Sequence, residues 1–212
     1  MLAIKNNKTQ FYNDYDKLQN IKAHDTIQGH NVYFRPGRTE FLDFLFMQNQ
    51  NLFEIGVWSS LDKEKTQLLT QSFFGRHYRN LLFVSATRRE EYEGVQSSYN
   101  FNPLPIKRDL KLVFDRFQDF EHNNTIVFSN FPNQSEEYRI NDVIMPQYDP
   151  TKLGSNFEID FALPGVMKYL RGLKFFIFKK GMIDVRPMLA TKSYQFLLDR
   201  VTNTGLNYNT YN

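Results

Sequence analysis

Apolar residues fall along this chain in short runs whose spacing switches between the two periods of regular structure. Leu2-Ala3-Ile4, Val32-Tyr33-Phe34, residues 53–58 (Phe-Glu-Ile-Gly-Val-Trp), residues 81–85 and residues 125–129 are compact apolar runs of strand length. Between them the spacing becomes helical. Residues 39–47 carry Phe41, Leu42, Leu45 and Phe46 just after the Arg35-Pro36-Gly37 break, which predicts a helix. Residues 61–73 predict a second helix. Residues 109–120 predict a third, with Leu110, Val113, Phe114 and Phe117 on one face. Apolar strands alternating with helices imply an α/β fold, a mainly parallel sheet covered by helices on both faces. Such sheets place functional groups at the carboxyl ends of their strands. Here those ends are residues 5–9, Ser59-Ser60 and Ser129-Asn130, expected to line one crevice. No internal repeat is visible.

Toward the C-terminus the pattern changes. Residues 173–178 and 182–185 predict a hairpin about Lys180-Gly181, and residues 192–201 a helix. A polar Asn/Thr/Tyr tail ending in Tyr208 and Tyr211 follows, read either as a docking element or as a disordered end.

Composition narrows the function classes. The 212 residues suit one α/β domain with a short extension, and 41% hydrophobic with 23% charged residues are globular values. The aromatic share of 16%, with 21 Phe and 12 Tyr, is high; part belongs to the core and a surplus also fits contact surfaces, although any single Phe is better placed in the core. A net charge of +3 is too mild for a nucleic-acid binder, and no continuous Lys/Arg stripe is present. Arg76, His77 and Arg79 cluster, and Arg88-Arg89 run into Glu90-Glu91 as a solvated mixed-charge face. With no cysteine, disulfides, thiolate catalysis and Cys-based metal sites are excluded. His24, His30, His77 and His122 are scattered with no i, i+4 pair, so satisfied or exposed imidazoles are expected rather than metal ligands. No apolar stretch is long enough to span a bilayer, and the N-terminus has no signal-peptide pattern. No Walker loop, dinucleotide fingerprint or Gly-x-Ser-x-Gly elbow occurs. Gly37, Gly56 and Gly75 read as turn or packing glycines. The abundance of Asn, as in Asn6-Asn7 and the tail, reads as codon bias or a frayed end.

Two stretches together suggest a family. Residues 35–42 (Arg-Pro-Gly-Arg-Thr-Glu-Phe-Leu) are followed by residues 53–61 (Phe-Glu-Ile-Gly-Val-Trp-Ser-Ser-Leu). This order resembles the phosphatase domain of the haloacid dehalogenase superfamily. The branch is the one acting on the C-terminal domain of RNA polymerase II, which includes the phosphatase-like receptor of the mitochondrial inner-membrane presequence translocase. Weaker matches follow in order: Lys107-Arg108-Asp109-Leu110, residues 126–132 (Ile-Val-Phe-Ser-Asn-Phe-Pro), Asn141-Asp142-Val143-Ile144, and residues 157–170 in the place of the family's closing helix. The resemblance implies a three-layer, Rossmann-like parallel sheet over residues 1–172, with residues 173–212 as an extension.

It also implies a strict chemical test. In the family an Asp ending the first strand attacks phosphorus and a second Asp two residues later exchanges the proton. A Thr or Ser and a Lys hold the phosphoryl oxygens, and an Asp pair ending the fourth strand helps to bind Mg²⁺. The metal is needed because a carboxylate and a phosphate dianion otherwise repel. At the matching places this chain has Lys5 for the nucleophile, Asn7 for the acid, Thr9 retained, Ser59 retained, Lys107 or Arg108 for the lysine, and Ser129-Asn130 for the metal-binding pair. Neither Lys5 nor Asn7 can do a carboxylate's work. A second alignment puts Asp14 and Asp16 at the first motif, with Leu18 for the Thr and a poor strand before it, against a reading of these residues as a solvated loop. Under either alignment Ser129 and Asn130 leave the metal short of oxygen ligands. What survives is a cationic, hydroxyl-rich pocket of Lys5, Thr9, Ser59 and Lys107 or Arg108. It either holds a phosphate or acidic side chain without metal, or is filled by neighbouring side chains.

The expectation is therefore a catalytically inactive phosphatase-like domain without metal or cofactor, serving as a structural or protein-binding subunit of a larger assembly. Kinship with the import receptor and a pI near 8.9 tilt the compartment toward mitochondria, with nucleus or cytoplasm as alternatives. Partners are other protein subunits. No nucleic acid is expected, and membrane association would pass through partners. The alternatives are a presequence- or phosphopeptide-binding receptor of an import machinery, and a residual Mg-dependent protein serine phosphatase.

Overall fold

The computed structural model describes residues 2–4, 22–50, 52–59, 61–86, 110–129, 140–146, 148–150, 160–181 and 183–191. Chain contacts divide it into two compact units, residues 1–103 with 148–160 and residues 104–147 with 161–212. The architecture is mixed α/β, with helices and small sheets.

The first unit begins with a three-stranded antiparallel sheet. β1 (Leu2–Ile4) and β2 (Asp25–Ile27) flank β3 (His30–Phe34), with Leu2 opposite Phe34 and Ile27 opposite His30. β2 and β3 meet in a two-residue turn, Gln28-Gly29, whose φ values of 50° and 76° are both positive. A turn with two left-handed residues carries the twist that antiparallel strands need. β1 was expected as the first strand of a parallel sheet, but it pairs antiparallel with β3. An apolar triplet holds no record of strand direction, whereas the tight Gln28-Gly29 turn fixes β3 against β2 and leaves its other edge open for β1.

After the Pro36-Gly37 turn comes α1 (Arg38–Asp43), which widens into a π turn at Phe44–Gln48. The buried Asn49 amide donates to the Phe44 carbonyl at 2.7 Å and closes that turn. β4 (Gly56–Ser59), α2 (Lys63–Phe74), a 3₁₀ stretch (Gly75–Asn80) and β5 (Phe83–Ala86) then form a β-α-β unit with β4 and β5 parallel. A Cβ on Gly56 would run into the Phe83 ring, so the glycine lets that ring lie against the neighbouring strand. Asp62 opens α2, accepting the Lys65 N–H at 2.8 Å. Val32, Phe34, Leu42, Leu69, Phe73 and Phe74 form the core, with Phe34 and Phe73 edge to face at 5.8 Å. His77 leaves the expected basic cluster: it is buried and stacked on Phe46 at 4.8 Å, and Arg76 Nε donates to its Nε2.

The second unit contains α3 (Lys111–Arg116), the parallel pair β6 (Val127–Ser129) and β7 (Asp142–Ile144), α4 (Ala162–Lys180) and α5 (Arg186–Thr191). α3 is shorter than the expected 109–120 because Phe117 already leaves helical geometry, at φ −125° and ψ 84°. Asn124 builds the following loop by accepting the Glu121 N–H and donating to the Asp119 carbonyl. Asn141, fully buried, donates to the His122 and Thr125 carbonyls. Part of the asparagine surplus thus makes turns, where short amide side chains replace backbone partners.

The hairpin expected about Lys180-Gly181 is not formed. Residues 173–178 are instead the second half of α4. Its buried stripe of Leu163, Val166, Tyr169, Leu170 and Leu173 keeps helical spacing across the supposed boundary at 172. Gly181, at φ 61°, ends the helix rather than making a strand turn, and its N–H donates to the Phe176 carbonyl. Asp184 then accepts the Arg186 N–H and guanidinium at the start of α5, and these bonds hold its carboxyl down to about 2.

Candidate functional site

The turn that carries the resemblance holds two arginines, Arg35 and Arg38, in the first unit. Arg35 follows the buried end of β3 and is itself only 1% exposed. Its Nε donates to Asp160 Oδ2 at 2.8 Å, and its guanidinium lies 5.3 Å from the Tyr148 ring centre. Tyr148 in turn donates its hydroxyl to the Phe34 carbonyl at 3.0 Å. Burial, with the Asp160 charge adding to it and Arg35 opposing it, pushes the Tyr148 hydroxyl up to about 12. A guanidinium enclosed by a carboxylate and an aromatic ring neutralises its own charge within the fold and ties a distant segment onto β3.

Three residues on, Arg38 begins α1. Its Nε donates to the Phe73 carbonyl at 2.6 Å and its Nη2 to the Ser72 carbonyl at 2.8 Å. Those carbonyls belong to the last turn of α2, where intrahelical donors run out, so a cation there satisfies orphan acceptors and complements the helix dipole. The guanidinium also sits 4.5 Å from the Phe34 ring centre. Burial lowers its pKa from the ordinary value. On the same side of α2, Ser72 donates its hydroxyl to Asp25 Oδ2 and joins the helix to β2.

Of the residues singled out from the sequence, the structure describes Ser59 and Ser129. Ser59 ends β4, half-buried, and its Oγ accepts the Leu61 N–H at 3.0 Å, shaping the turn into α2. Ser129 ends β6, buried, and its carbonyl accepts the Met145 N–H at 2.6 Å. Each is therefore at the carboxyl end of a parallel strand, as the pattern predicts. Ser59 belongs to the first unit and Ser129 to the second. Lys5, Asn7, Thr9, Asp14, Asp16, Lys107, Arg108 and Asn130 lie outside the described residues. Among the described residues no group of three or more His, Asp or Glu side chains is arranged to hold a metal ion.

Besides the buried His77, His24 acts as a structural group: its Nδ1 accepts the Phe34 N–H at 3.1 Å, extending the edge of β3. Sequence reasoning missed Asp160 and Tyr148 as partners of Arg35. Periodicity reports only neighbours, and Asp160 is 125 residues away in the chain. No protein-family model matches this chain, and no curated protein matches it.

Proposed function

We propose that this protein is a catalytically inactive phosphatase-like module acting as a structural or protein-binding subunit of a larger assembly, with mitochondria as the expected compartment. The observation that carries this reading is a division of labour along the motif. The motif residues that resemble the family and are described have jobs in the fold: Arg35 pairs with Asp160, Arg38 caps α2, and Ser59 shapes a turn. The residues that depart from it are those that would attack phosphorus, exchange the proton and bind the metal, with Lys5, Asn7, Ser129 and Asn130 in place of carboxylates, while the phosphoryl-holding Thr9 and Ser59 are kept. Keeping the framework while losing the acids fits a fold retained as a surface rather than as a catalyst. A three-layer, Rossmann-like sheet is the architecture that goes with this reading, and the parallel β-α-β unit of β4, α2 and β5 supports it.

Native fractionation and a phosphatase assay on the full chain test it together. The chain should migrate in a complex well above its own 25.3 kDa and release no phosphate from a phosphoserine peptide in the presence of Mg²⁺. Migration only as a monomer would overturn the subunit role. Mg-dependent turnover that disappears in Asp14→Asn would overturn the claim of inactivity.

A further inference from the structure

We propose that the outward face of the C-terminal half of α4 is a docking surface for an anionic lipid bilayer. At about 100° per residue, Lys168, Arg171, Phe175, Phe178 and Lys179 project from one stripe about 100° wide. The stripe lies opposite the one formed by the buried Val166, Tyr169, Leu170 and Leu173. Phe175 is 53% exposed and Phe178 65%, and Ile183, just past the helix end, is 83% exposed. These are the large apolar groups that a folded surface ordinarily hides. From Phe161 to Ile183 the sequence has five Lys or Arg and no Asp or Glu.

The composition of the patch selects the partner. A protein interface is depleted in Lys at its centre and mixes both charge signs at its rim. Here four of the five cations are Lys and no acid stands among them in the sequence, and with Lys168 and Lys179 exposed this composition suits an anionic partner. A single-stranded nucleic acid is anionic, but its binders track it along a groove, and one helix face is convex. A bilayer surface needs no concavity. Phe rings reach the acyl boundary while flanking Lys stems lie along them and carry the ammonium groups to the headgroup phosphates. The helix does not cross the bilayer, since no described helix is long and apolar enough to do so. It rests on one face. This contact is direct and needs no partner subunit, so it stands or falls independently of the proposed assembly.

Co-sedimentation of the full chain with vesicles tests it. Compositions are phosphatidylcholine alone, and phosphatidylcholine with phosphatidylserine at about 3:1. The protein should sediment with the anionic vesicles at least about tenfold more strongly than with the neutral ones, and release as salt rises from about 0.1 to 0.5 M. The double variant Phe175→Ser/Phe178→Ser should lose about tenfold or more in partitioning, and Lys168→Glu/Lys179→Glu a similar amount. Both change exposed positions, and unchanged far-ultraviolet circular dichroism confirms that they fold. Equal partitioning of the double phenylalanine variant overturns the proposal. So does equal binding to neutral vesicles, no sedimentation of the parent protein, or capture only by a single-stranded oligonucleotide or an acidic peptide.

Discussion

Arg35 shows how a side chain that is conspicuous in a sequence can serve the fold itself. An arginine after a strand and before Pro-Gly invites a ligand reading, because guanidinium groups bind phosphate well. Its burial decides otherwise: with its side chain fully enclosed and Asp160 at 2.8 Å, the charge is already matched. Removing one partner of such a pair leaves the other without its counter-charge in a poorly solvated place. Asp160→Ala should therefore destabilise the protein by about 3 kcal/mol, the lower end of the range for buried pairs because Asp160 keeps partial solvent access. Urea denaturation gives the number, and a shift below about 0.5 kcal/mol would show that solvent already screens the pair. The motif made Arg35 legible in the sequence. Its partner was not legible, since residues 157–170 were read as one helix, whereas Asp160 precedes α4.

At the level of elements, legibility followed the strength of local signals. The helix over residues 61–73 was readable from its spacing, and the structure places α2 at Lys63–Phe74 with Asp62 as its cap. The acceptor bond from the Lys65 N–H, the largest cause, holds the Asp62 carboxyl below its ordinary value of 3.8. A carboxylate whose folded pKa is depressed adds stability above its unfolded pKa and loses it as pH falls through the folded one. Asp62→Ala should thus cost about 1 kcal/mol at neutral pH. The gap between variant and parent should close as pH drops below the ordinary carboxylate range, which paired urea melts across acidic pH would follow. A gap constant with pH would mean that the side chain acts by some means other than its charge. The strands were less legible. β2 escaped notice because Asp25-Thr26-Ile27 offers one large apolar residue, and β7, noted only for its family match, because three residues are too few to show a period. Glycine at 181 misled for a physical reason: a left-handed residue serves a hairpin turn and a helix end equally well.

At the scale of the whole molecule, neither compact unit is a contiguous piece of chain, since Tyr148–Asp160 returns to the first and Phe161–Asn212 to the second. The mixed α/β character was readable from alternating periods. The boundary at 172 was drawn where the family resemblance ended, not where burial ends. α4 crosses that point, with Leu173 only 2% exposed immediately after it and Met188 Cε 3.6 Å from where a Cβ on Gly172 would be. A chain ended at Gly172 loses the buried Leu173, Val185, Met188 and Leu189. At roughly 1.5–3 kcal/mol for each large apolar side chain, that is about 6–12 kcal/mol, comparable with the whole stability of an ordinary domain. The truncated chain should therefore lack a cooperative urea transition and give weak near-ultraviolet circular dichroism, while the intact chain shows both. If the 172-residue fragment unfolded as sharply as the parent, the second half of α4 would be an appendage, and the core would close without it. The buried stripe running unbroken from Leu163 to Leu173 argues against that outcome, because a helix that continues to bury the same face is still part of the packing that began it.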